Sequence, residues 1–169
     1  MILIRKVKAP FGWMSNMSAH PIEHEGKVFR TAEALFQCMR FADEEIIDKI
    51  RAERSPMSAK MVAKGNADKM VIVPCSEQDL KNMMLCLRFK IEQHPDLRAE
   101  LIDTHEEIVE DCTNRQHGSG LFWGKGLKAG EWRGENWLGK LWMELREHLI
   151  VGDWVASWKT TESLPPVEL

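Results

Sequence analysis

The sequence predicts a single α+β domain, mainly helical, with a few short strands. Two stretches repeat apolar residues at helical spacing: Leu80, Met83, Met84, Leu87 and Ile91, then Trp137, Leu138, Leu141, Trp142, Leu145 and Leu149. The strand signals are brief by comparison, a β-branched start from Ile2 to Val7 and the flanks of Glu25-Gly26. With 169 residues, 44% hydrophobic and 29% charged, the chain can bury a sizeable core as one soluble globular domain. Residues 1–150 are expected to form the domain. Residues 151–169, with Trp154, Trp158 and Pro165-Pro166, read as a C-terminal tail that packs by its rings and frays at its end.

Each element has a local reason. Ile2 to Val7 alternates as a strand does. Phe11 to Met17 is an aromatic loop, whose rings must either pack or hold a ligand. Pro21-Ile22 and Lys27-Val28-Phe29 flank Glu25-Gly26 as a short hairpin. Thr31 is expected to cap a helix running to Phe41, with Leu35, Met39 and Ala42 on a core face. Asp43 caps a second helix with Ile46, Ile47 and Ile50 inward. Ser55-Pro56 opens a third, where the missing N–H of Pro costs nothing, and Gly65 stops it. Met70 to Val73 reads as a short strand ended by Pro74. Ser76 and Asp79 form a capping-box pattern before the long helix, and Pro95 starts another through Leu101. Ile108-Val109 is a brief strand. Gly118 to Gly134 is a glycine-rich loop that is neither a dinucleotide fingerprint nor a P-loop. Asn136 is expected to cap the last helix.

Composition narrows the function classes. The formal net charge is −3, which argues against nonspecific duplex binding while leaving a local patch open. No apolar run approaches the roughly 20 residues of a membrane span, and the N-terminus is a poor signal peptide. Cys38, Cys75, Cys86 and Cys112 lie far apart without a CxxC pair, which reads as reduced thiols in a cytoplasmic protein. The six histidines show no metal spacing, and the sequence calls for no metal or cofactor.

The chemistry-bearing candidates begin with the helix after Thr31. Helical spacing puts Glu33, Phe36, Gln37 and Arg40 on one face, with Glu33 in the first turn, where the helix dipole favours its carboxylate. Glu33, Glu110 and Asp111 are the candidate acid–base carboxylates. Trp13, Phe36 and Trp123 could wall a charge-delocalised, sugar-like substrate, whose glycosidic bond breaks through an oxocarbenium-like state. Lys60 could serve as a base or a Schiff-base amine. Against each stands a plainer role: a first-turn Glu is more often a dipole partner than a catalyst.

The order of motifs across residues 11–149 resembles the NADAR domain, the YbiA-like family. The resemblance rests on Trp13-Met14-Ser15-Asn16; on Pro21-Ile22, Gly26 and Thr31-Ala32-Glu33; and on Phe36-Gln37. It continues through Pro56-Met57-Ser58-Ala59-Lys60 to Gly65, then Met83, Lys90 and Gln93, and Glu110. It closes with Trp123-Gly124-Lys125-Gly126, Gly134-Glu135-Asn136-Trp137-Leu138-Gly139, Met143 and Arg146. It implies a mostly helical α+β fold and N-glycosidase activity on a phosphorylated ribosyl or ADP-ribosyl substrate. That substrate would be a riboflavin-pathway ribosylaminopyrimidine phosphate or ADP-ribose on guanine, in ADP-ribosylated nucleic acid. Glu33 would be the acid–base or oxocarbenium-stabilising group, with Lys60, Glu110 and Asp111 as the other catalytic candidates, and Lys60 either a phosphate contact or a covalent amine. Trp13, Ser15, Asn16, Phe36, Gln37, Arg40, Trp123, Gly124, Gly126, Asn136 and Gly139 would hold substrate. Three positions depart from the pattern: Ala34 replaces a His, Arg40 a Lys and Gly120 an Asp. Two other readings stay open: a non-catalytic binder of ADP-ribose or NAD-like ligands, and a protein-interaction module using the Trp-rich tail.

Overall fold

The structure, a computed structural model, describes residues 1–152. In chain order the regular elements are β1 (Ile2–Ile4), β2 (Ile22–His24), β3 (Lys27–Phe29), α1 (Ala32–Cys38), α2 (Glu44–Ala52), α3 (Pro56–Gly65), α4 (Glu77–Gln93), α5 (Pro95–Ile102), β4 (Ile108–Glu110), α6 (Gly120–Trp123), β5 (Gly126–Lys128), β6 (Glu131–Arg133) and α7 (Trp137–Val151). The fold is therefore α+β and mainly helical, as the sequence predicts. The strands form three two-stranded sheets: β1 with β4 in parallel, and two hairpins, β2–β3 and β5–β6. Residues gather into two compact units, Asn16–Pro95 and Met1–Ser15 with the described residues from Asp96 onward.

In the Asn16–Pro95 unit, α1 packs against α2, α3 and α4. The β2–β3 hairpin turns through Glu25 (φ 51°) and Gly26 (φ 72°), the paired positive dihedrals that match the twist of flanking strands. Asp43 Oδ1 accepts the amides of Glu45 and Ile46, and Ser55 Oγ accepts that of Ser58, so both expected caps form. Ala59 and Ala63 are buried on α3, where small side chains permit close helix approach. Four local expectations change. Ala42 is exposed, and Ile47 is only half-buried, with Ile46 and Ile50 supplying the core. The helix after Thr31 ends at Cys38, well before Phe41. Met70 to Val73 is no strand, because the amides of Val71 and Ile72 both turn back to the single carbonyl of Arg40.

In the other unit, α7 packs on β4, and Trp137, Leu138, Leu141, Trp142, Leu145 and Leu149 are buried as their spacing requires. The expected first strand is shorter, ending at Ile4. The glycine-rich stretch is more ordered than a loop: it contains α6 and the β5–β6 hairpin, which turns through Ala129 (φ 51°) and Gly130 (φ 83°). Asn136 does not cap α7 with its side chain; it sits in the left-handed region (φ 59°) and bonds elsewhere. Cys38, Cys86 and Cys112 are buried, and burial pushes each thiol up, that of Cys38 to about 12. The tail with Trp154 and Trp158 lies outside the described residues.

Candidate functional site

The candidate residues divide between the two units. In the Asn16–Pro95 unit Glu33, Phe36 and Gln37 share a face of α1, and Arg40, in the turn just past its end, joins them, but inside the protein. Glu33 is 5% exposed, Gln37 3% and Arg40 8%. Thr31 Oγ1 accepts the Ala34 amide at 3.2 Å, and the Glu33 amide donates to the Asn16 carbonyl at 3.0 Å, so the start of α1 is tied to the preceding loop. Gln37 Nε2 donates to Glu33 Oε1 at 2.9 Å. Lys60, from α3, brings its Nζ to 4.0 Å from the same oxygen, and its side chain is 44% exposed. A buried carboxylate beside a solvent-reaching ammonium is the arrangement here with chemical capacity: Glu33 Oε2 accepts no hydrogen bond from a described residue.

Arg40 is part of this cluster without facing solvent. Its Nε and Nη2 donate to Asp79 Oδ1 and Oδ2 at 2.8 and 2.7 Å, a bidentate pair with Asp79 fully buried at the start of α4. Its Nη1 donates to Gln37 Oε1 at 3.2 Å, and its guanidinium lies 4.4 Å from the centre of the Phe36 ring. Phe36, 2% exposed, is thus a platform for Arg40 within the core. Asp79 also accepts the Cys75 amide at 2.8 Å, while its own amide donates to Ser76 Oγ, so the expected capping box forms in one direction only. Asn16 Nδ2 reaches the Met83 sulfur at 3.0 Å, and its buried Oδ1 has no hydrogen-bond partner among the described residues.

Asp79 and Lys90 are the members that sequence reasoning did not place in the cluster or the core. Asp79 read only as a helix cap; no local signal announces a partner 39 residues away. Lys90 lies on the apolar stripe of α4 between Leu87 and Ile91, an unusual place for an ammonium, and is fully buried with Nζ 2.6 Å from Ser18 Oγ. Burial pushes its amine down to about 7.

In the other unit, the candidates are engaged in packing and hydrogen bonds. Asn136 Nδ2 donates to the Ile108 carbonyl at 2.9 Å, and its Oδ1 accepts the Glu110 amide at 3.1 Å. Its carboxamide thus satisfies the edge of β4 as a peptide of a neighbouring strand would, and the residue is 1% exposed. A Cβ at Gly139 would lie 2.1 Å from the Ile108 carbonyl, one at Gly124 2.3 Å from that of Glu110, and one at Gly126 2.5 Å from the Gln116 side chain. These glycines let backbone and side chains close on β4 and its surroundings. Trp13, 7% exposed, packs edge-on against Trp142 at 5.4 Å, and Ser15 closes the short turn at Gly12–Met14. Trp123 is half-buried and stands edge-on to Phe122 at 5.0 Å.

The two acidic candidates of this unit are also engaged. Glu110 Oε1 accepts from Arg115 Nη2 at 2.7 Å. Asp111 accepts from Thr113 N and Oγ1 at 2.9 and 2.5 Å and from Arg5 Nε at 2.7 Å. Burial works against the Asp111 carboxylate, but the Thr113 bonds and the Arg5 guanidinium outweigh it, and its carboxyl sits below the ordinary value. Among the described residues no group of three or more His, Cys, Asp or Glu is placed to hold a metal ion, and no helix is long and apolar enough to cross a membrane.

Known proteins share this architecture. A profile for the NADAR domain matches residues 4–150. The chain is 37% identical over 144 residues to a protein of Escherichia coli named N-glycosidase YbiA, covering 83% of each. It is 28% identical to an N-glycosidase of Nostoc punctiforme, over 88% of this chain and 92% of that one. A chloroplastic riboflavin biosynthesis protein PYRR of Arabidopsis thaliana is 30% identical over 70% of this chain and 19% of its own. The NMR structure of E. coli YbiA superposes with a TM-score of 0.75 at 35% identity, over 90% of this chain and 86% of that one.

Proposed function

Because this chain belongs to the NADAR family, and relatives it matches in Escherichia coli and Nostoc punctiforme are named N-glycosidases, we propose that it hydrolyses the N-glycosyl bond of a phosphorylated ribosyl substrate, with Glu33 as the reacting carboxylate. The observation that carries this is the Glu33–Lys60 pair: a buried carboxylate held on one oxygen, 4.0 Å from a half-exposed ammonium. As the C1′–N bond breaks, its electron pair leaves with the base nitrogen, which takes up a proton from solvent water, balanced when Glu33 later returns its own proton to solvent. Positive charge develops on the ribosyl C1′–O4′ unit. A carboxylate in a water-poor setting stabilises that charge strongly, and Glu33 then accepts a proton from the water that attacks C1′. Lys60, at the solvent side, meets the substrate phosphate. The Arabidopsis relative named for riboflavin biosynthesis supports a ribosylaminopyrimidine 5′-phosphate as the first substrate to try.

A second reading, binding without turnover, draws on two of the positions where the motif departs. Arg40, where the family pattern has a Lys, is committed to Asp79. At Gly120, where the pattern has an Asp, a Cβ would lie 2.0 Å from the Arg115 carbonyl, so no carboxylate can stand there unless the backbone moves. One experiment separates the readings. The purified protein is incubated with a ribosylaminopyrimidine 5′-phosphate and with a guanine-ADP-ribosylated oligonucleotide, and products are followed by mass spectrometry. Release from either, abolished by Glu33→Gln, is the expected result and identifies the substrate class. Release unchanged in Glu33→Gln moves catalysis away from Glu33. Binding of ADP-ribose with no release from either substrate overturns the hydrolase reading in favour of the binder.

A further inference from the structure

We propose that Arg40 is a positioning residue that acts through Gln37: gripped by Asp79, it fixes the orientation of the Gln37 amide, which holds Glu33 by Oε1 and leaves Oε2 for the reaction. The inference rests on Glu33 being the reacting carboxylate. Its basis is a continuous run of bonds, Asp79 to Arg40 at 2.8 and 2.7 Å, Arg40 Nη1 to Gln37 Oε1 at 3.2 Å, and Gln37 Nε2 to Glu33 Oε1 at 2.9 Å. The orientation of the amide follows from chemistry alone. A guanidinium only donates and a carboxylate only accepts, so Gln37 must turn its oxygen to Arg40 and its NH₂ to Glu33. A flipped amide would set oxygen against carboxylate and NH₂ against guanidinium, two repulsions in a buried site.

Arg40 can impose this because it is held at both ends. Its carbonyl accepts the amides of Val71 and Ile72, and its guanidinium is fixed on Asp79 and stacked over Phe36. Asp79 is itself anchored, accepting the Cys75 amide at 2.8 Å. Lysine could not do the same. Its ammonium is a single point on a flexible stem and lacks the planar fork that serves both Asp79 oxygens while a third N–H reaches Gln37. At 8% exposure, Arg40 is also badly placed to touch a substrate, which separates its role from that of half-exposed Lys60.

The test is a double-mutant cycle with two readouts. Arg40→Lys keeps a cation against Asp79, and Gln37→Met leaves the Arg40–Asp79 pair and the Lys60 ammonium beside Glu33 in place. With a ribosylaminopyrimidine 5′-phosphate, each single variant is expected to lower kcat about ten- to a hundredfold with KM nearly unchanged. The double variant is expected to fall no further than the worse single one. In the wild type, the side-chain amide protons of Gln37 are expected to be resolved by NMR and to exchange slowly with solvent. In Arg40→Lys their protection is expected to drop about tenfold or more. Multiplied losses in the double variant, or Gln37 protection unchanged in Arg40→Lys, overturn the proposal. If the wild type cleaves neither this phosphate nor the ADP-ribosylated oligonucleotide, the glycosidase reading fails by itself, and the amide protection still decides whether Arg40 orders Gln37.

Discussion

Two carboxylates, one in each unit, are both acid–base candidates in the sequence and stand in opposite circumstances in the fold. Asp111 is surrounded by donors: the Thr113 hydroxyl and amide and the Arg5 guanidinium occupy its oxygens and hold its carboxyl below the ordinary value. Glu33 is buried, yet it receives one neutral amide bond and has a cation at 4.0 Å. A carboxylate with donors on both oxygens has less capacity left for a developing charge or a proton, and here it ties chain segments together. One that is desolvated but under-coordinated keeps that capacity. The two carboxylates thus differ in the number of their partners, and the proposed role of Glu33 rests on that difference.

The comparison can be broken at several points. The largest effect is expected in the support behind Glu33. Asp79→Ala leaves the Arg40 guanidinium buried without its partner, which is expected to cost about 3–5 kcal/mol in urea unfolding. A loss below about 1 kcal/mol would mean that water reaches Arg40 and the pair is not part of the core.

Next comes the contrast itself. Glu33→Gln is expected to lower kcat about 10²–10³-fold with stability nearly kept. Asp111→Asn, which weakens the Arg5 pairing, is expected to cost about 1 kcal/mol of stability while kcat stays within about threefold. Steady-state kinetics beside urea curves check both, and the reverse pattern would exchange the roles of the two carboxylates.

The Asn136 clasp is smaller. Asn136→Ala strips partners from the Ile108 carbonyl and the Glu110 amide, and about 2–3 kcal/mol of stability should go with them. Lower substrate affinity at full stability would instead mark Asn136 as a ligand contact.

A further effect is in pH. The Lys90 amine is held near 7 in the fold against 10.5 ordinarily. Between those values the unfolded chain carries the extra proton, so the Lys90 contribution to stability rises with pH from about 7 towards 10.5. Urea midpoints at several pH values should show this rise in the wild type, and Lys90→Met should flatten it.

Much of the fold was legible because its causes are local. Asp43 and Ser55 cap their helices, Glu25-Gly26 turns its hairpin, and the apolar stripes of α4 and α7 are buried as their spacing requires. The misses share a cause. Met70 to Val73 has strand composition, but a strand needs a neighbour, and the Arg40 carbonyl takes two of its amides instead. The glycines from 118 to 134 read as a loop because sequence spacing does not reveal that Gly124 and Gly139 must pass within contact of β4 carbonyls. In the candidate site, the shared helix face of Glu33, Phe36 and Gln37 could be read from helical periodicity. The partners of Arg40 and Asn136 could not.

The sequence by itself determined which residues share a helix, where helices begin, and that a carboxylate and an amide stand on one face of α1 with a guanidinium just past its end. These follow from backbone geometry and from side chains within a few positions of one another. Only the tertiary structure decided that this face is buried, that Asp79 grips Arg40, that Lys60 comes beside Glu33, and that Asn136 completes a strand edge. The physical reason is that hydrogen-bond capacity and desolvation depend on partners distant in the chain, and local spacing carries no record of which partner will arrive.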